Sequence, residues 1–337
     1  MSTSPINSRI KGAASFLLGA GLLAWLVVSI GADSILADLS RVGAGLLVIL
    51  ALEFVVDALN TLGWWYTLPV AERKGVWRRL FWVRSAGNAL NESTPAASLG
   101  GEPAKVVLLR GWISTPAAAA SLLSTKVSYG LGAAIFIAAG AAAVRSRLSL
   151  PKDMVWALFF AFAMMIFGIA MFAILQIRGI GAGALRGLQW LRIPKRWLTP
   201  VESLSNEIDA QLSDFYRARR GDLFRAVGAH LCGFGCSALQ ALLILEWLHL
   251  GLDPQAALGI AAFTALVAIA SFAVPASLGV QEGGSVLIFW AMGLPSAAAM
   301  AAGIAFRLVW LIKTALGVVV FILLKRRSPA PVDPTGD

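Results

Sequence analysis

One eight-residue phrase occurs twice in this chain, as Pro95-Ala96-Ala97-Ser98-Leu99-Gly100-Gly101-Glu102 and as Pro275-Ala276-Ser277-Leu278-Gly279-Val280-Gln281-Glu282. Each copy sits among long apolar segments. Proline and glycine break helices, and lipid tolerates a broken helix only where protein or a water-filled cavity surrounds the freed backbone. Two broken helices at matching places in two halves are the sequence pointer to a transporter-like binding site near the bilayer midplane.

Composition sets the medium: 58% of the 337 residues are hydrophobic and 14% are charged, against about 25% charged in ordinary soluble domains. Apolar runs long enough to span, about 20 residues each, lie near Gly12 to Ile30, Ala44 to Tyr66, Ala117 to Val144, Met154 to Ile177, Leu223 to Trp247, Gln255 to Val274 and Ala297 to Leu324. The first follows Arg9 and Lys11 without a cleavage signal and reads as a retained helix. The less apolar stretch Leu80 to Trp112 holds the first phrase.

The net charge of +10 does not imply a nucleic-acid partner, because the basic residues fall in short loops between spans, where positive-inside sorting explains them. With the N-terminus inside, Arg73, Lys74, Arg78, Arg79 and Arg84, the run Arg178 to Arg225, and Lys325 to Arg327 are cytoplasmic. The outer side keeps Arg41, Arg145, Arg147 and Lys152. Both termini are then cytoplasmic and the chain is expected in a bacterial inner membrane.

In that orientation the span before the first phrase runs inward and the span before the second runs outward, so the repeats are antiparallel. The expected architecture is an all-α polytopic membrane protein of about seven transmembrane helices plus re-entrant broken hairpins, with inverted-topology internal repeats. A single transmembrane domain over 1–327 divides into repeat one (about 43–144), a linker helix with a cytoplasmic loop (145–222) and repeat two (about 223–324). Residues 328–337 form an expected disordered tail. The arms Glu102 to Trp112 and Glu282 to Gly293 are too short to cross alone, at 1.5 Å per residue against about 30 Å of hydrocarbon. Val201, Leu204, Ile208, Leu212 and Phe215 recur at helical spacing opposite Glu202, Glu207, Asp209 and Asp214, which gives an amphipathic helix expected on the cytoplasmic interface.

The candidate site residues come from the phrases and from intramembrane charges. Pro95 and Pro275 break each incoming arm, Gly101 and Gly279 allow the turn, and the half-helix after Glu102 or Glu282 begins with free N–H groups and a positive dipole end that attracts anions. The two glutamates can equally cap their own half-helices. Lys126 lies 24 residues after Glu102, and Arg307 lies 25 after Glu282, each inside the span that closes its repeat. A charge there costs at least about 2.5 to 3.5 kcal/mol and normally faces a partner or a wet cavity. Glu53 and Asp57, four apart on the second span, are candidates for proton coupling or for ion pairing with Lys126 or Arg307. Lys105 belongs to the lipid-binding set, with Lys313 and Arg110 behind it. Cys232 and Cys236 read as packing residues and His230 and His249 as ordinary helix residues. No catalytic set, cofactor motif or metal-ligand spacing is present in the sequence.

Asn88-Ala89-Leu90-Asn91, Pro95, Gly101-Glu102 and Lys105, with Pro275, Leu278-Gly279-Val280, Glu282, Gly293 and Arg307, resemble the flippase-like membrane domain of lysylphosphatidylglycerol synthases and their stand-alone relatives. The resemblance covers nearly the whole chain. It implies a lipid-translocating fold with re-entrant helices and membrane lipids as partners, an anionic phospholipid or a hopanoid-type lipid. The cytosolic domain that transfers the amino acid in bifunctional members has no counterpart in this sequence, so aminoacyl transfer is not implied. Stand-alone relatives associated with hopanoid synthesis imply an alternative role, a scaffold for lipid-biosynthesis enzymes.

Overall fold

The computed structural model describes residues 32–93, 100–146, 151–183, 185, 195–251, 253–270 and 279–326. Most of these residues lie in the α-helices α1 (Ala32–Val42), α2 (Gly45–Thr67), α3 (Trp77–Ser93), α4 (Gly101–Leu108), α5 (Thr115–Val144), α6 (Lys152–Ile177), α7 (Lys195–Arg217), α8 (Arg220–Trp247), α9 (Pro254–Ala270), α10 (Val280–Ala291) and α11 (Ser296–Arg326). Among the described residues α2, α5, α6, α8 and α11 are long and apolar enough to cross a membrane, and the protein is an all-α multi-pass membrane protein. The expected spans near Gly12 to Ile30 and the end of Gln255 to Val274, the segments Pro95 to Leu99 and Pro275 to Leu278, and the tail 328–337 lie outside the described residues.

Proline and aspartate punctuate these helices. Pro116 stands in the first turn of α5 and Pro151 immediately precedes α6, positions where a missing N–H costs nothing. Asp253 caps α9 through Oδ1, which accepts from the N–H groups of Gln255 and Ala256, each at 3.0 Å. Between α9 and α10 the chain emerges at Gly279 with φ +74°, a left-handed conformation that a side chain would strain.

The same order of elements occurs twice: a long span, a 17-residue arm, a short helix and a closing span, as α2-α3-α4-α5 and again as α8-α9-α10-α11. The two copies are interlocked. The arm of each packs on the closing span of the other, with Gly140 of α5 against Ala262 of α9, and Gly317 of α11 against Ala89 of α3. Close approach at small residues is how helices associate without a hydrophobic driving force between them.

The first spans of the two copies run antiparallel. Gly45 meets Trp247, Asn60 meets Gly233 and the Tyr66 carbonyl accepts from Arg219. Their side-chain bonds mirror one another across the contact. Asn60 Oδ1 bonds His230 Nδ1 at 2.7 Å, while Gln240 Nε2 donates to the Ile49 carbonyl at 3.2 Å and to Glu53 Oε1 at 3.1 Å. As many positions separate Asn60 from Gln240 as separate Glu102 from Glu282. That is the pattern of a pseudo-two-fold axis passing through the α2-α8 contact.

One end of the bundle is clamped by charge. Asp222 in the first turn of α8 pairs with Arg73, Arg219 and Arg225, and Arg73 and Arg219 also donate to the carbonyls of Tyr66 and Leu68 at the end of α2. These carbonyls have no partner within the helix, and the guanidinium groups complement its negative dipole end.

α7 is amphipathic, as its sequence implies, and the C-terminal part of its apolar face meets protein, while Leu204 remains exposed. Leu212 and Phe215 are fully buried against the bundle, and the Tyr216 hydroxyl donates to Gln176 Oε1 at 2.7 Å. Burial pushes the Tyr216 phenol above its ordinary range. α6, by contrast, presents Trp156, Phe159, Phe160 and Phe167 outward along its length, as a lipid-facing helix does.

Candidate functional site

α4, with eight residues, and α10, with twelve, reach about 12 and 18 Å, so neither crosses a bilayer. Each starts beside a carboxylate that a basic residue of the following span reaches. Lys126 stands eleven residues into α5 and Arg307 eleven into α11, which at 1.5 Å per residue is about 16 Å, half of the ~30 Å hydrocarbon core.

In the first copy, Glu102 Oε1 accepts from Lys126 Nζ at 2.8 Å, Lys105 Nζ at 3.0 Å and Asn91 Nδ2 at 3.3 Å. Asn91 Oδ1 also accepts the Gly101 N–H at 2.8 Å. A Cβ on Gly101 would lie 2.0 Å from the Gly87 carbonyl, so only glycine lets α4 start this close to α3. The Lys105 side chain is 6% exposed and that of Lys126 is 52% exposed. Glu102 Oε2 is buried without a hydrogen-bond partner among the described residues.

The second copy is tighter. Glu282 Oε1 accepts from Arg307 Nε at 2.9 Å and Nη2 at 2.7 Å, and Glu282 Oε2 accepts the Gly279 N–H at 2.9 Å. Glu282 is 2% exposed. It both caps its half-helix and binds the basic residue of the following span. Arg307 lies over the Trp310 ring at 5.2 Å, and Glu92 at the end of α3 lies near Trp310, Arg307 and Lys313.

Glu53 and Asp57 pair with neither Lys126 nor Arg307, which corrects the expected pairing. Lys313 Nζ reaches Glu53 Oε2 at 2.6 Å and Asp57 Oδ2 at 3.0 Å, and Arg84 Nη1 reaches Asp57 Oδ1 at 2.6 Å. The physical reason is geometric. Glu102 and Glu282, at the starts of α4 and α10, lie within reach of the basic residues of α5 and α11, while α3 and α11 bring Arg84 and Lys313 to the α2 face. This four-residue network joins α2, α3 and α11.

A cavity of about 410 Å³ opens beside the network. Glu53 and Tyr129 line it from the first copy, and Gln240, Gln281, Ser285 and Lys313 line it from the second. Gly303, Phe306 and Trp310 close the wall next to the Glu282-Arg307 pair. Of the residues proposed from sequence, Glu53 and Lys313 line this cavity; Glu102, Lys105 and Lys126 form a separate cluster, Asp57 stands behind Glu53, and Pro95 and Pro275 lie outside the described residues. Arg110 follows α4 and makes no ion pair among the described residues. Arg84, Glu92, Tyr129 and Gln240 were missed by sequence reasoning. An intramembrane Gln or Tyr carries no signal of its own, and Arg84 and Glu92 were hidden because α3 is polar along much of its length.

A family model described as the lysylphosphatidylglycerol synthase TM region matches residues 12–317. A curated relative, a UPF0104 membrane protein of Methanothermobacter thermautotrophicus, is 36% identical over 101 residues, which is 29% of this chain and 30% of that protein. The match thus spans less than a third of the relative's length. No solved structure matches. With the family model running from the first apolar run into α11 across both copies of the repeat, the chain belongs to the family of the lysylphosphatidylglycerol synthase TM region.

Proposed function

We propose that this protein binds the headgroup of an amphipathic membrane lipid in the cavity beside α10 and carries the lipid between leaflets, without chemical conversion. The observation that carries this reading is that charged and polar side chains of both copies line one cavity. Buried intramembrane charges that face a shared space are the usual mark of a substrate path. Lys313, with Arg307 behind the wall, supplies cationic donors suited to a phosphate-bearing headgroup. Gln281 and Ser285 on the first turns of α10 add neutral hydrogen-bonding groups, and Glu53 and Asp57 hold Lys313 when no anion is present and are candidates for proton coupling. The acyl chains stay in the bilayer. Movement is the rocking of one copy against the other about the α2-α8 contact. The excess of basic residues around Arg73, Arg178 and Lys325 supports a cytoplasmic position for that end, and the substrate classes we propose are anionic phospholipids and hopanoid-type lipids.

A second reading, a non-transporting scaffold for lipid-synthesising enzymes, draws support from one feature: Glu102-Lys126 and Glu282-Arg307 are already paired within their own copies. Lipid retention separates the two. Protein purified in neutral detergent and exchanged into phosphatidylglycerol or phosphatidylcholine nanodiscs should retain phosphatidylglycerol preferentially, and Lys313→Met should remove the preference. Equal retention of both lipids by the wild-type protein, with stable association of a lipid-synthesising enzyme, would replace the transport reading with the scaffold.

A further inference from the structure

A second cavity, of about 510 Å³, lies between α5, α6 and α9 at the end of the bundle opposite the Arg73-Asp222 clamp. Its floor is the close α5-α9 crossing. A Cβ on Gly259 would meet Val144 Cγ1 at 2.2 Å, and Ala141 and Ala142 face the space beside that contact. Phe159 and Phe162 of α6 form the outer wall, and Ile288 of α10 lies at the inner end. The volume falls within the roughly 300 to 1,000 Å³ of small-molecule sites. Ile137 to Arg145 of α5 lines the cavity end to end, a length of about 12 Å, close to the ~15 Å depth of one leaflet's hydrocarbon.

One charge lines this apolar space. Arg145, at the C-terminal end of α5, sits at its mouth and makes no ion pair among the described residues. α6 begins at the same end with Lys152 and Asp153. A slot one leaflet deep with apolar walls and a cation at the level of the headgroups has the charge and dimensions of an anionic phospholipid seated from that leaflet.

We propose that the α5-α6-α9 groove is a lipid-binding site distinct from the central cavity, which takes one acyl chain of an anionic phospholipid with the headgroup phosphate on Arg145. α9 separates the two spaces: Ile260, Ala261 and Ala265 face the central cavity, and Gly259, Ala262 and Leu266 face the groove. The proposal stands on the groove's own shape and charge and does not depend on lipid moving through the central cavity.

The test uses full-length protein in vesicles of phosphatidylcholine doped with either phosphatidylglycerol or phosphatidylcholine bearing a photoreactive diazirine on one acyl chain. Crosslinked peptides are then located by mass spectrometry. The expected result is enrichment of crosslinks at Ala142 and Phe162, about fivefold stronger for phosphatidylglycerol. Arg145→Gln should reduce that preference to parity, and Ala142→Trp, which fills the groove, should remove the groove crosslinks. Arg145→Gln leaves the packing untouched and decides the matter by itself where Ala142→Trp does not yield folded protein. Crosslinks spread evenly over the outward face of α6, including Phe160 and Phe167, and equal for both lipids would overturn the proposal, since they would mean annular lipid only.

Discussion

Glu282 holds Arg307 through both its Nε and its Nη2, at 2.9 and 2.7 Å, while its other oxygen accepts the Gly279 N–H at the start of α10. One carboxylate thereby fixes a broken helix to the span that follows it. The corresponding pair, Glu102 and Lys126, makes a single 2.8 Å contact, and its lysine is half exposed. Breaking a buried pair from one side leaves an uncompensated charge, whereas an exposed pair contributes little.

Arg307→Ala should therefore destabilise the protein by about 3 to 5 kcal/mol. Lys126→Ala should cost no more than about 1 kcal/mol. Denaturant unfolding in detergent micelles measures both, and equal costs would refute the asymmetry between the copies.

The interlocking of the two copies rests on small residues. A Cβ on Gly140 would lie 2.2 Å from the Ala262 Cβ, and one on Gly317 would lie 2.6 Å from the Ala89 Cβ. Gly140→Ala and Gly317→Ala should each lower stability by about 1 to 3 kcal/mol through overpacking. Gly168→Ala on α6, where nothing lies within 4 Å, should be neutral or stabilising by up to about 1 kcal/mol. Thermal unfolding of the three variants side by side checks the packing directly.

Lys313→Met leaves Glu53 without its cation, while Asp57 keeps Arg84. The double variant Lys313→Met, Glu53→Gln should recover part of the loss, with a coupling energy of about 0.5 to 3 kcal/mol. Strict additivity in the cycle would show that the two groups do not interact in the folded protein.

The sequence made the five spans of the described residues legible, because apolar length is a one-dimensional signal. Glu102-Lys126 and Glu282-Arg307 pair within their own copies, whereas the sequence pointed Lys126 and Arg307 to Glu53, Asp57 or a lipid phosphate. The partners of Glu53 and Asp57 were not legible, since Lys313 and Arg84 reach them only through the crossing of α11 and α3 over α2. The cavity wall was hidden for the same reason. Tyr129 and Gln240 are unremarkable in an apolar helix until α8 is laid antiparallel to α2. Nor could the pattern of α7 say whether its apolar stripe faces lipid or protein, a choice made by where Leu212 and Phe215 find the bundle.

Orientation can be read chemically. In a Cys232→Ser, Cys236→Ser background, Lys74→Cys and Ser146→Cys should react with a membrane-impermeant maleimide from opposite sides, Ser146→Cys from outside intact cells and Lys74→Cys only after permeabilisation. Labelling of both from one side would invert or dissolve the proposed topology.

Lipid movement itself is the most direct measurement: protein reconstituted into liposomes with headgroup-labelled phosphatidylglycerol or a hopanoid-type lipid, followed by quenching from outside. Wild-type protein should expose the inner-leaflet pool, and Lys313→Met should slow that exposure by about 10- to 100-fold, the equivalent of one hydrogen bond to a charged group at ~1.5 to 3 kcal/mol. Folded wild-type protein that leaves the inner-leaflet pool protected with every lipid tested would contradict the account.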